Sequence, residues 1–168
     1  MLGLGIWYST KKTDKTMVNN MEKLEMEKII SGLLTVNGCD PEKDTYVDIT
    51  RLSRRLGFKV VNAELKKDEE GFIVIAPSYV NLESDFGNKV IVVNNKMGFK
   101  WKRFIIARQF AHSVLHYKIG SVYLHKENKK VEKGTEEKEA SYFAAALLMP
   151  RVSFFSKYKK CKQSGLFG

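Results

Sequence analysis

The chain has 168 residues, 43% of them hydrophobic, which suffices for one buried core but not for two independent ones, so a single domain is expected. The apolar opening Met1-Leu2-Gly3-Leu4-Gly5-Ile6-Trp7 has no basic leader and is too short for a secretion signal. No other stretch reaches membrane-span length, so no membrane partner is expected. The net charge of +10 is uneven: residues 100–133 carry nine Lys or Arg against two Glu, and residues 151–168 carry five against none. This reads as a solvated basic face and tail. The competing reading is a nucleic-acid surface using Lys100, Lys102, Arg103, Lys157, Lys159 and Lys160, but no helix-turn-helix, RNP or zinc-finger pattern supports it. Cys39 and Cys161 form no C-x-x-C pair, which argues against a thiolate metal site or a disulfide framework and for a reducing cytoplasm.

In chain order, residues 1–19 lack periodicity and are expected to be a loose extension, with order beginning near Met21. Met26, Ile29, Ile30, Leu33 and Leu34 have the spacing of an amphipathic helix stopped at Gly38. A second helix is capped by Asp48, carries Ile49, Leu52 and Leu56 on one face, and ends at Gly57. Phe58–Asn62 predicts a strand, Lys66–Glu70 a turn and Gly71–Ala76 its hairpin partner. Residues 77–88 predict a loop, and Val90–Val93 a third strand ending in a turn at Asn94-Asn95. Phe104, Ala107, Ala111 and Leu115 predict a helix over about Lys100–His116, followed by a basic connector. A last strong helix is expected over Thr135–Met149, with Thr135 as its cap and Pro150 as its stop. Trp101, Phe104, Phe110, Tyr142, Phe143 and Met149 fall at helical spacings and are expected in the core.

Two segments carry the chemistry. Arg103-Phe104-Ile105-Ile106-Ala107-Arg108-Gln109-Phe110-Ala111-His112-Ser113-Val114-Leu115-His116 is the first, and Glu137-Lys138-Glu139-Ala140-Ser141-Tyr142-Phe143-Ala144-Ala145-Ala146-Leu147-Leu148-Met149-Pro150 the second. Together they resemble the ImmA/IrrE family of zinc metallopeptidases, whose members carry R-F-x-x-A-H-E-x-G-H-x-x-L-H and then E-x-E-A-N-x-F-A-A-x-L-L-M-P. The resemblance covers about residues 45–151 and implies an α+β, zincin-like fold of minimal gluzincin type, with a small three-stranded sheet packed on helices. It divides the chain into an extension (1–19), a metallopeptidase-like domain (20–151) and a short basic tail (152–168).

In the motif the resemblance supplies, two histidines at i and i+4 on one helix face hold zinc with a carboxylate from another helix, and the Glu after the first His is the general base. Here Arg108 stands at the first ligand position and Gln109 at the base position, while His112 and Glu137 match the remaining ligands. A guanidinium has no lone pair to give, and an amide accepts no proton at ordinary pH. The resemblance therefore implies a chain that lacks ordinary zinc hydrolysis, needs no cofactor and retains the family's recognition of a protein partner, such as a helix-turn-helix regulator. The alternative is a peptidase with an altered zinc site, using His112, His116 and Glu137 one turn further along. His116 otherwise reads as a packed or capping residue, and His125, in the polar connector, as exposed. In place of a metal, Arg108 is expected to pair with Glu137.

Overall fold

The computed structural model describes residues 15–78, 87–119, 122–128 and 134–164. Residues 1–14 of the expected extension and 79–86 of the expected loop lie outside these. Among the described residues the protein is a mixed α+β structure of five helices and one four-stranded sheet.

Helix α1 (Lys15–Val36) begins within the stretch read as a loose extension and ends at Gly38, whose φ of 76° lets the Cys39 N–H turn back to Leu34 O at 2.9 Å. Ile30 and Leu34 are buried, whereas Ile29 faces outward. Helix α2 (Ile49–Arg55) forms as its capping signals predict: Asp48 Oδ1 accepts from the Arg51 N–H at 3.0 Å, and Gly57 adopts a φ of 85° just beyond the end. A 3.0 Å bond from Phe58 N to Ser53 O then directs the chain into the sheet.

The strands are β1 (Lys59–Ala63), β2 (Glu69–Ile75), β3 (Lys89–Asn94) and β4 (Tyr123–Asn128), in the spatial order β1-β3-β2-β4. The expected hairpin between the first two strands does not form. Instead β3 lies between them, parallel to β1 and antiparallel to β2. The reason is burial: Val90, Ile91, Val92, Val93 and Asn94 of β3 are all buried, and a strand apolar on both faces belongs in the middle of a sheet. The fourth strand replaces the expected basic connector and extends the sheet beyond the three strands anticipated, pairing antiparallel with β2.

Helices α3 (Phe99–Leu115) and α4 (Thr135–Leu148) pack on each other, and α3 also lies on β2 and β3. The close approach of α3 depends on Gly71, where a Cβ would meet Val92 O at 2.7 Å and Ile105 Cγ2 at 2.8 Å. Ile105, Phe110 and Ala111 from α3, Phe143, Ala144 and Leu147 from α4, and Ile73, Ile91 and Val93 from the sheet form the centre of the core. Three expected core residues are outside it: Trp101 is 44% exposed near the start of α3, the half-buried Tyr142 donates to Glu27 at 3.1 Å, and Met149 is 53% exposed at the end of α4. Thr135 is not a cap, because Gly134 occupies that position and makes no side-chain capping bond. Pro150 ends α4 and opens a fifth helix, α5 (Arg151–Gln163), in the stretch read as a tail; it is docked by Ser153 Oγ, which donates to Asp44 O at 2.9 Å.

Candidate functional site

The middle of α3 is buried without a break from Ile105 to His112, so its polar residues Arg108, Gln109 and His112 are carried into the interior by the apolar positions around them. Arg108 and His112 are one helical turn apart and share a face. That face looks onto the first turn of α4, where Glu137 sits, and toward β4, which contributes His125.

Glu137 divides its two oxygens. Oε2 is 3.0 Å from Arg108 Nη2, the ion pair expected from the sequence, with Arg108 only 2% and Glu137 20% exposed. Oε1 faces imidazoles, at 2.6 Å from His125 Nε2 and 3.3 Å from His112 Nε2. The rings of His112 and His125 stack with centroids 3.7 Å apart at 20°. On its other side His112 Nδ1 meets His116 Nδ1 at 3.0 Å, and His116 Nε2 meets Glu139 Oε2 at 3.1 Å. His125 Nδ1 lies 3.3 Å from the Oε1 of the fully buried Gln109. A second carboxylate, Glu70, is buried on β2 and accepts from Trp101 Nε1 at 2.9 Å.

Burial lowers the Arg108 pKa, while the carboxylates of Glu137 and Glu70 oppose that shift and favour the charged form. His112 is pushed down to about 3, mainly by burial and further by His125, His116 and Arg108, so it is a neutral imidazole at physiological pH. The Tyr123 hydroxyl, 3.5 Å from His112 Nδ1, is pushed up to about 12 by burial and by Glu136 and Glu137, and keeps its proton.

The structure thus brings together Arg108, Gln109, His112 and Glu137. His116 is placed behind His112, on the Nδ1 side, with its own partner Glu139; the atoms of His112, His116 and Glu137 do not converge on one point. His125, read as an exposed connector residue, is instead half-buried in the centre of the site. The sequence offers little signal for it: in Tyr123-Leu124-His125-Lys126 the first and third side chains turn inward with the two-residue period of a strand, but the apolar Leu124 is on the exposed face. Of the basic residues singled out, Lys100, Lys157, Lys159 and Lys160 are exposed. Arg103 is a structural residue, because it donates to Val47 O at 2.8 Å and lies over the Tyr46 ring at 4.2 Å. A larger apolar hollow of about 530 Å³ between α1, α4 and α5, lined by Leu24, Ile30, Tyr142 and Phe154, contains none of the site residues.

The model of the IrrE N-terminal-like domain family, peptidase family M78, matches residues 54–161, which include the sheet, α3, β4 and α4 and most of α5. The chain belongs to the ImmA/IrrE family. No curated protein matches it. No helix among the described residues is long and apolar enough to cross a membrane. The ImmA/IrrE resemblance implies zinc on residues 108, 112 and 137, and that set does not fit here, since the Arg108 guanidinium offers no lone pair and is engaged with the same carboxylate. Among the described residues, the group whose donor atoms could meet at one ion is His112, His125 and Glu137, which lie within 4.8 Å of one another.

Proposed function

We propose that this ImmA/IrrE chain is a zincin-like domain of minimal gluzincin type that does not hydrolyse peptides and acts by binding a protein partner in a reducing cytoplasm. The observation that carries the reading is the fully buried Gln109 at the position of the general base, beside Arg108 locked to Glu137. Peptide hydrolysis by a metal-bound water needs a group that takes the water's proton as the carbonyl is attacked. The Gln109 amide preserves the shape of a glutamate and its hydrogen bonding but has no proton affinity in the useful range. Arg108 holds a fixed positive charge where a ligand lone pair would be needed.

Recognition does not depend on those two residues. β4 is at one end of the strand order and passes directly over the site, so an extended partner segment can add to its outer edge by main-chain hydrogen bonds. The resemblance makes a helix-turn-helix regulator the expected partner. The exposed Lys157, Lys159 and Lys160 of α5 form a separate basic surface, to which any strongly salt-dependent nucleic-acid binding would belong.

The test mixes the purified full chain with a panel of helix-turn-helix regulators and reads both complex formation and regulator length. A stoichiometric complex containing an intact regulator is expected. Cleaved regulator, or no complex with any member of the panel, contradicts the proposal.

A further inference from the structure

We infer that His112, His125 and Glu137 form a site for a divalent first-row transition ion of the zinc type, in which His125 from the edge strand supplies the imidazole that Arg108 cannot. This ligand set differs from the one implied by the family motif. It rests on the arrangement of donor atoms and is independent of whether the chain hydrolyses peptides.

The first support is an orphan. His112 Nε2 is completely buried, has no hydrogen-bond partner among the described residues, and lies 3.3 Å from Glu137 Oε1. The surrounding bonds explain why it carries no proton. Glu139 can only accept, so His116 Nε2 donates to it; in the tautomer with its proton there, His116 Nδ1 accepts and His112 Nδ1 is the donor in their 3.0 Å contact. The lone pair of His112 is consequently on Nε2, facing a carboxylate oxygen. Two electron-rich atoms directed at each other in a buried site are stabilised by a cation between them.

The second histidine is prepared in the same way. Gln109 Oε1 accepts from His125 Nδ1 at 3.3 Å, which leaves Nε2 facing Glu137 Oε1 at 2.6 Å, a hydrogen bond whose proton a bound ion would displace. Each imidazole therefore has an acceptor for its outer N–H, the arrangement that orients histidine ligands and raises their basicity. In this role Gln109 is a positioning residue.

Charge and space are compatible with the ion. Arg108 is influenced by two carboxylates, Glu137 and Glu70, so the single guanidinium charge does not cancel both. Arg108 takes Oε2 and leaves Oε1 to the imidazoles. The stacked rings lie in nearly parallel planes with both Nε2 atoms against the same Glu137 oxygen, so His125 has to turn to make room for an ion; it is 19% exposed on an edge strand. Two imidazoles and one carboxylate select zinc or cobalt over calcium or magnesium, which take all-oxygen sets.

The full chain, stripped with chelator and dialysed, is titrated with Co(II) and followed by visible absorption, and with Zn(II) by calorimetry. One ion per chain is expected, with the d–d bands of a four-coordinate Co(II) site. His125→Ala should abolish stoichiometric binding while leaving the metal-free thermal midpoint close to the parent's, and His116→Phe should weaken binding by about 10–100-fold through loss of orientation. Imidazole ¹⁵N spectra of the unaltered chain provide a readout independent of any variant: zinc should move the Nε2 resonances of both His112 and His125. Absence of Co(II) and Zn(II) binding, binding unchanged in His125→Ala, or zinc shifts that spare His125 would overturn the inference.

Discussion

Arg108 Nη2 is 3.0 Å from Glu137 Oε2, and this ion pair joins the two helices that carry the family motif. Both groups leave water largely behind, so the pair is maintained by mutual compensation, and removing one member strands the other.

Glu137→Ala should destabilise the protein by roughly 3 kcal/mol, the lower end of what breaking a buried pair costs, because Glu70 still opposes the guanidinium. An exposed pair would contribute at most about 1 kcal/mol. Urea unfolding of the metal-free protein separates the two cases, and a Glu137→Ala midpoint equal to the parent's would show that the pair is not structural.

Gly71 makes a different kind of junction, between β2, β3 and α3. Its Cβ position lies 2.7 Å from a main-chain oxygen and 2.8 Å from Ile105 Cγ2, and the backbone atom cannot give way as a flexible side chain would. Gly71→Ala should lower stability by about 1–3 kcal/mol through overpacking, read by chemical denaturation. An unchanged midpoint would mean that α3 does not lie this close to the sheet.

Acid should weaken the metal-free fold through His112. Its pKa falls from 6.5 unfolded to about 3 folded. Between those values the unfolded chain binds more protons than the native one, so stability drops as pH falls through that window, by at most ~1.4 kcal/mol per pH unit from this residue. Urea midpoints measured from about pH 7 to about pH 5 should decline in the parent and decline less steeply in His112→Gln. Equal slopes would place the acid sensitivity elsewhere.

Much of this was legible where the signals are local. Asp48 and Gly57 bracket α2 as their cap chemistry predicts, and the motif spacing placed Arg108 and Glu137 opposite each other before any coordinates. What escaped depends on tertiary context. The short link after β1 reads as a hairpin, yet the fully buried β3 takes the central place. β4 was hidden because its inward side chains are Tyr123, which both packs on the core and reaches the site, and the polar His125, while the apolar Leu124 faces outward, so the strand has no apolar alternation to detect. His125 was missed for the same reason. With it, the candidate ligands number three instead of two, which is the ground of the metal site inferred above.

Restoring motif residues should separate metal binding from catalysis. Gln109→Glu alone is expected to give no peptidase activity while Arg108 remains paired with Glu137, and Arg108→His alone should tighten zinc binding without activity. The double variant is the one in which the family's own ligand set and base are both present. Peptidase activity from Gln109→Glu by itself, measured on a regulator substrate, would contradict the assignment of Arg108 to the ligand position.

The most direct measurement follows a bound regulator by mass spectrometry during long incubation with the unaltered chain and excess zinc. The regulator's mass is expected to stay that of the intact chain, with and without chelator. Zinc-dependent appearance of two fragments that sum to the intact regulator plus one water, lost when chelator is added, would show that the site of Arg108, Gln109, His112 and Glu137 is still a peptidase.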